Sequence, residues 1–164
     1  MMKVMIKNNE LDRVVFRSHN DKMAKYGWII EADLGEDASD KIEKILEVVR
    51  IIIEHNSSPW PNDLEWDNIM PKWIQEKIPK LTPEECQKIL NDTPRELWNK
   101  LSWEFYSWID AIRDRAWEWW SYKLDGNIVK FYLISLEIPE RINAFEQIII
   151  ASGGRIISRI ESTP

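Results

Sequence analysis

The chain contains one cysteine, two histidines and five glycines in 164 residues, and each scarcity removes a class of chemistry. A lone thiol, Cys86, rules out an internal disulfide and fits a reducing compartment. His19 and His55 with that single cysteine are too few for a Cys/His zinc site built from this chain alone. Walker-type phosphate loops, the dinucleotide fingerprint, His-Glu-x-x-His and Gly-x-Ser-x-Gly are all missing. The Gly153-Gly154 pair follows a helical pattern and reads as its terminator. No uninterrupted apolar run approaches the roughly 20 residues that span a bilayer. The start, Met1 to Lys7, lacks the basic segment, apolar run and cleavage site of a signal peptide. These absences predict a soluble, cytoplasmic protein with no metal, no cofactor and no membrane partner.

A strong basic segment is missing too. Formal net charge is −6. Residues 1–56 carry 9 bases and 11 acids, residues 57–94 carry 4 and 7, and residues 95–164 carry 9 and 10. Nucleic-acid binding rests on clustered Lys and Arg against phosphate, so this acidic chain lacks its usual footprint. A local patch around Arg113, Arg115, Arg155 and Arg159 would be the exception.

What the chain does have is tryptophan, ten in all, and eight prolines. The first third reads as three strands and a helix. Lys3–Lys7, Arg13–Arg17 and Tyr26–Asp33 are β-rich runs. Ser39 or Asp40 then caps a helix to about His55, whose stripe is Ile42, Ile45, Leu46, Val49, Ile52 and Ile53. Residues 57–92 form a proline-rich helical insertion, with a capping box at Thr82-Pro-Glu-Glu85 that recurs at Thr93-Pro-Arg-Glu96. From Thr93 to about Asp114 one helix places Leu97, Trp98, Leu101, Phe105, Trp108, Ile109 and Ile112 on a single buried arc. Trp103 interrupts its polar side, with Tyr106 on the flank.

Asp125-Gly126 between two β-rich runs predicts a type I′ hairpin over about 117–136. Its register pairs Tyr122 with Val129, Trp120 with Phe131 and Glu118 with Leu133. Apolar residues on both faces place the hairpin centrally in its sheet. A helix bearing Ile142, Phe145, Ile148 and Ile149 then leads through Gly153-Gly154 to a strand at 155–160. The expected architecture is one α+β domain over 1–164, a two-layer sandwich of a mixed β-sheet with helices packed on it. Its order is βββα, short helices, α, ββαβ.

Other candidate chemistry resolves into structural readings. Cys86 reads as a small buried residue, and His55 as a complement to a helix C-terminus. Ser18-His19-Asn20-Asp21 reads as a polar loop. Glu31, Asp33, Glu36, Asp37 and Asp40 lack the spacing of a calcium loop, and Asp110 and Asp114 read as surface ion-pair partners of the adjacent arginines.

No catalytic residue is assigned. Two functions remain open. Trp103 and Tyr106, with Trp60 and Trp66 of the insertion, would anchor a protein-interaction module: an adaptor, inhibitor, immunity-type binder or homo-oligomer. The alternative is a small-molecule-binding or enzymatic domain with an aromatic-lined pocket between insertion and hairpin. Glu118 would be its key residue, since Trp117 and Trp119 flank it and burial would raise its pKa unless Arg113 or Arg115 paired with it.

Overall fold

The computed structural model describes residues 10–15, 27–56, 59–101, 103–135 and 142–162. A helical turn, α1, occupies residues 10–15. It is followed by β1 (Gly27–Asp33) and α2 (Ala38–Glu54). The insertion supplies α3 (Asp63–Ile69), α4 (Lys72–Lys77) and α5 (Pro83–Asp92), and a 3-10 helix (Arg95–Lys100) follows it. Then come α6 (Phe105–Arg113), β2 (Trp117–Asp125), β3 (Ile128–Ser135), α7 (Asn143–Ala151) and β4 (Arg155–Ser162). The α+β class holds, and no helix among the described residues is long and apolar enough to cross a membrane.

The four strands lie in the order β2-β3-β1-β4, and every neighbouring pair is antiparallel. The expected mixed sheet is therefore corrected. β3 and β4 run in the same direction, but β1 lies between them and is antiparallel to both. Among the described residues the hairpin is not central either, because β2 forms an edge. Both of its faces are nonetheless buried in part: Trp117, Trp119, Tyr122, Phe131 and Leu133 belong to the core, while Ser121 and Tyr132 are also buried.

The hairpin register is shifted from the expected one by two beside the turn and by one beyond a slip. Tyr122 faces Phe131 and Leu124 faces Val129, and the register slips between Trp119 and Ser121. The cause lies in the turn. Gly126 takes a positive φ of 62°, whereas Asp125 does not and instead pairs with Ile128. A type I′ turn needs positive φ at both central residues.

Helical periodicity built the core as expected along two helices. Every stripe residue named for α2 is buried. In α7, Phe145, Ile148 and Ile149 are buried, but so are Ala144, Glu146, Gln147 and Ala151. A helix buried on nearly all sides sits between layers, and α7 contacts β4, α2, α4 and α6. Its Phe145 ring meets Phe131 and Trp117 of the sheet at 5.4 and 5.2 Å. From α6, the Trp108 indole donates to the Ala144 carbonyl at 2.9 Å. α2 starts at Ala38 after Asp37, which adopts φ 58° without a side-chain cap bond, so neither Ser39 nor Asp40 is the cap.

Two further expectations change. The described part of the Arg13–Arg17 run, residues 13–15, is helical and not a strand. Helical spacing lets Glu10 and Arg13 reach the same residue of β2, Trp119, where a strand would send them to opposite faces. The long helix from Thr93 is broken into the 3-10 helix and α6, with Glu104 capping α6 through bonds from the Tyr106 and Ser107 amides. Lys3–Lys7 and the Ser18–Asp21 loop lie outside the described residues.

Candidate functional site

The insertion divides into a docked half and a projecting half. In the docked half, Asn62 and Glu65 form a capping box that starts α3, and Trp66, Met70, Ile74 and Ile78 enter the main core. Trp66 is fully buried, with the Trp60 ring at 4.8 Å and His55 at 5.3 Å. His55 also places Nδ1 2.7 Å from the Ile51 carbonyl, consistent with an end-of-helix role.

Polar contacts fasten this half to α6. The Tyr106 hydroxyl donates to Asp67 Oδ1 at 2.8 Å, and Lys80 Nζ lies 2.9 Å from the same carboxylate. Lys80 also sits over the Phe105 ring at 5.1 Å. The ammonium donor, then the Tyr106 hydroxyl, holds the Asp67 carboxyl below its ordinary value. Tyr106 is pushed up to about 12, first by desolvation and then by the carboxylate it bonds. Tyr106 is thus committed to a structural bond. Trp103 is partly buried and packs against the core.

The projecting half is different. α5 is well formed: Thr82 and Glu85 complete a capping box, and Pro83 occupies the first turn. Thr93 Oγ1 donates to the Ile89 carbonyl at 2.6 Å. The Trp98 indole donates to the Leu90 and Thr93 carbonyls at 3.2 and 3.0 Å, with Arg95 over its ring at 5.7 Å. Yet no residue of α5 is buried. Ile89, Leu97 and Trp98 are 38, 41 and 40% exposed. Leu97 and Trp98 therefore leave the buried arc they were assigned to, because the helix break before α6 turns them outward. Cys86 is a free thiol, partly buried on this helix and not a core residue. An amphipathic pattern does not say whether its apolar side meets the same chain or another, so sequence reasoning missed this surface.

Glu118 lies elsewhere, on β2, an edge strand among the described residues. Its side chain is 12% exposed and 3.8 Å from Arg13, not paired with Arg113 or Arg115. Arg115 instead makes a bidentate contact with Glu10 at 2.7 and 2.8 Å. Glu10 also accepts the Trp119 amide at 2.6 Å, while Arg13 Nη2 donates to the Trp119 carbonyl at 2.8 Å. Arg115 donates to the Trp117 carbonyl at 2.9 Å, and Arg13 stacks over Trp120 at 4.7 Å. Burial, reinforced by Glu10, raises the Glu118 carboxyl above its ordinary value, with Arg115 and Arg13 opposing. Burial likewise lowers Arg13, against the pull of both glutamates. The arrangement caps backbone groups that an edge strand would otherwise present to another chain.

A cleft of about 530 Å³ lies beside Trp60, lined by Pro61, Asn62, Asp63, Leu64, Asp110 and Arg113. Glu118 is not among its walls. Arg113 is engaged by Asp114 at 3.1 Å and Asp110 at 3.6 Å. Arg155 and Arg159 face Asp33 and Glu146, so each of the four candidate patch arginines has an acidic partner. Among the described residues no group of three or more His, Cys, Asp or Glu is placed to hold a metal. No family model, curated protein or solved structure matches this chain.

Proposed function

We propose that this chain is a non-enzymatic protein-interaction module that offers the arm of α5 and the 3-10 helix to an apolar groove on a partner protein. One observation carries the reading: the arm is pre-formed, yet its own domain leaves Ile89, Leu97 and Trp98 exposed together. A ten-residue helix is marginal in water without packing. Here the capping box, the Pro83 start and the Trp98 indole bonds hold it in shape. A helix already ordered before binding loses less entropy on docking, and an amphipathic helix in a groove is a recurring recognition mode. The cleft beside Trp60 supports a small-molecule reading less well, since its arginine is already neutralised and Glu118 lies outside it.

Leu97→Asp is the discriminating variant, because Leu97 is 41% exposed, whereas the Trp98 indole helps hold the arm together through the Leu90 and Thr93 carbonyls. The variant should keep the parental circular dichroism and melting temperature. It should weaken capture of the partner by about 30-fold or more, the scale of an interface hot spot. A partner retained at full affinity by Leu97→Asp and Ile89→Asp alike would sink the proposal.

A further inference from the structure

The two margins of the sheet are treated differently. At β2, Glu10, Arg13 and Arg115 occupy the outward amide of Trp119 and the carbonyls of Trp117 and Trp119. At β4, the other margin among the described residues, Ile157 and Ile160 are 42 and 55% exposed, and Arg159 and Glu161 are exposed as well. We infer that β4 is the contact surface for a second copy of this chain, joined antiparallel across a two-fold axis at Ile160.

The register within the chain selects that axis. Tyr132 lies opposite Ile29, and Ile29 opposite Ile160, on the face away from α7. On the helix-bearing face, Phe131 lies opposite Ile30, and Ile30 opposite Arg159, which pairs with Glu146 of α7. Directly opposed residues in a β pair share a face. A two-fold at Ile160 obeys this rule: Ile160 meets Ile160 of the second copy, and Arg159 meets Glu161 of the second copy. Symmetry supplies that ion pair twice. The row Tyr132, Ile29, Ile160 then continues into the same three residues of the second copy in reverse order. A two-fold between neighbouring residues would oppose side chains from different faces and is excluded.

The bulge in β4 sets the limit of the contact. The register against β1 slips between Glu31 and Ala32, leaving Ile157 without a partner. A bulge disrupts pairing on its strand, so the contact uses 158–162, the part that follows it. The partner is fixed by self-complementarity: a positive residue and a negative residue flank an exposed isoleucine, and antiparallel pairing brings unlike charges together.

Sedimentation velocity over a concentration series tests the contact on the full chain. The parent should show a monomer–dimer equilibrium, and Ile160→Lys should weaken it by about tenfold or more by placing like charges face to face. Ile160 is 55% exposed, so the variant should fold; should it not, Glu161→Arg gives the same test by opposing Arg159. Register is checked by cysteine pairing in a Cys86→Ala background. Ile160→Cys should form a disulfide-linked dimer on mild oxidation, because directly opposed Cβ atoms lie about 4.5–5.5 Å apart. Ile157→Cys should not, since six residues of offset put its sulfurs roughly 20 Å apart. A parent that stays monomeric at every concentration overturns the inference. So does a dimer indifferent to both charge variants, or equal cross-linking at 157 and 160. The arm of α5 is a separate surface, so either proposal can fail without the other.

Discussion

Replacing Glu10 by alanine removes a buried carboxylate with three close donors: both terminal nitrogens of Arg115, at 2.7 and 2.8 Å, and the Trp119 amide at 2.6 Å. The Arg115 side chain is 5% exposed and Glu10 1%, so water does not replace the lost partner. Breaking a buried pair from one side costs about 3–5 kcal/mol. The stranded Trp119 amide draws on the same carboxylate, so its roughly 1–3 kcal/mol is not simply added. A loss of about 4 kcal/mol is a large share of a domain's typical 5–15 kcal/mol. At about 2–4 °C per kcal/mol for a chain of this size, melting should fall by roughly 8–16 °C. Calorimetry and urea titration by circular dichroism measure both. A Glu10→Met, Arg115→Met pair should be less damaging than Glu10→Ala alone, because it leaves no uncompensated charge inside. A Glu10→Ala cost below about 1 kcal/mol, or strict additivity in the double variant, would refute the reasoning.

The neighbouring carboxyl gives a pH-dependent counterpart. Glu118 is raised above its ordinary 4.5 by burial and by Glu10, so ionising it costs the folded state. Below the ordinary value both states are protonated and nothing is lost; stability falls as pH rises through the ordinary value and then the raised one. Glu118→Gln should therefore match the parent in acid and melt higher at neutral pH, and a difference of opposite sign, or one that ignores pH, rejects this. Gly154→Ala should be destabilising by about 1–3 kcal/mol through overpacking. A Cβ there would lie 2.8 Å from both Ile149 Cγ2 and Leu34 Cδ2. An unchanged urea midpoint would show that these side chains yield freely.

Elements defined by local periodicity were legible in the chain. The stripes of α2 and α7 follow the 3.6-residue repeat, and β1 and the hairpin follow β-rich runs around turn signals. Errors arose where a distant contact or a single backbone angle decided the matter. The run containing Arg13 suits a strand or a helix locally; Glu10 settles it through Arg115 and Trp119, 105 and 109 residues away. The periodic arc from Leu97 to Ile112 runs straight across the break at Leu101–Glu104, so the pattern alone concealed it. Asp125-Gly126 marked the turn, but which residues took positive φ shifted the register beside it by two. At the candidate sites, the flanking tryptophans correctly signalled burial and a raised pKa for Glu118, while its partner Arg13 was not legible. The exposure of Leu97 and Trp98 was not legible either, because their apolar character was the reason for burying them.

The closure of β2 by Glu10, Arg13 and Arg115 governs more than local stability. A sheet with two open margins can recruit one molecule after another and grow into a fibre. The pairing proposed above uses one, β4. An isologous contact spends the same patch on both molecules, so joining two β4 strands turns both ionically closed β2 margins outward. Strand addition at the Trp117–Trp119 stretch of β2 then meets backbone groups that are already occupied, so the proposed assembly is expected to halt at a pair.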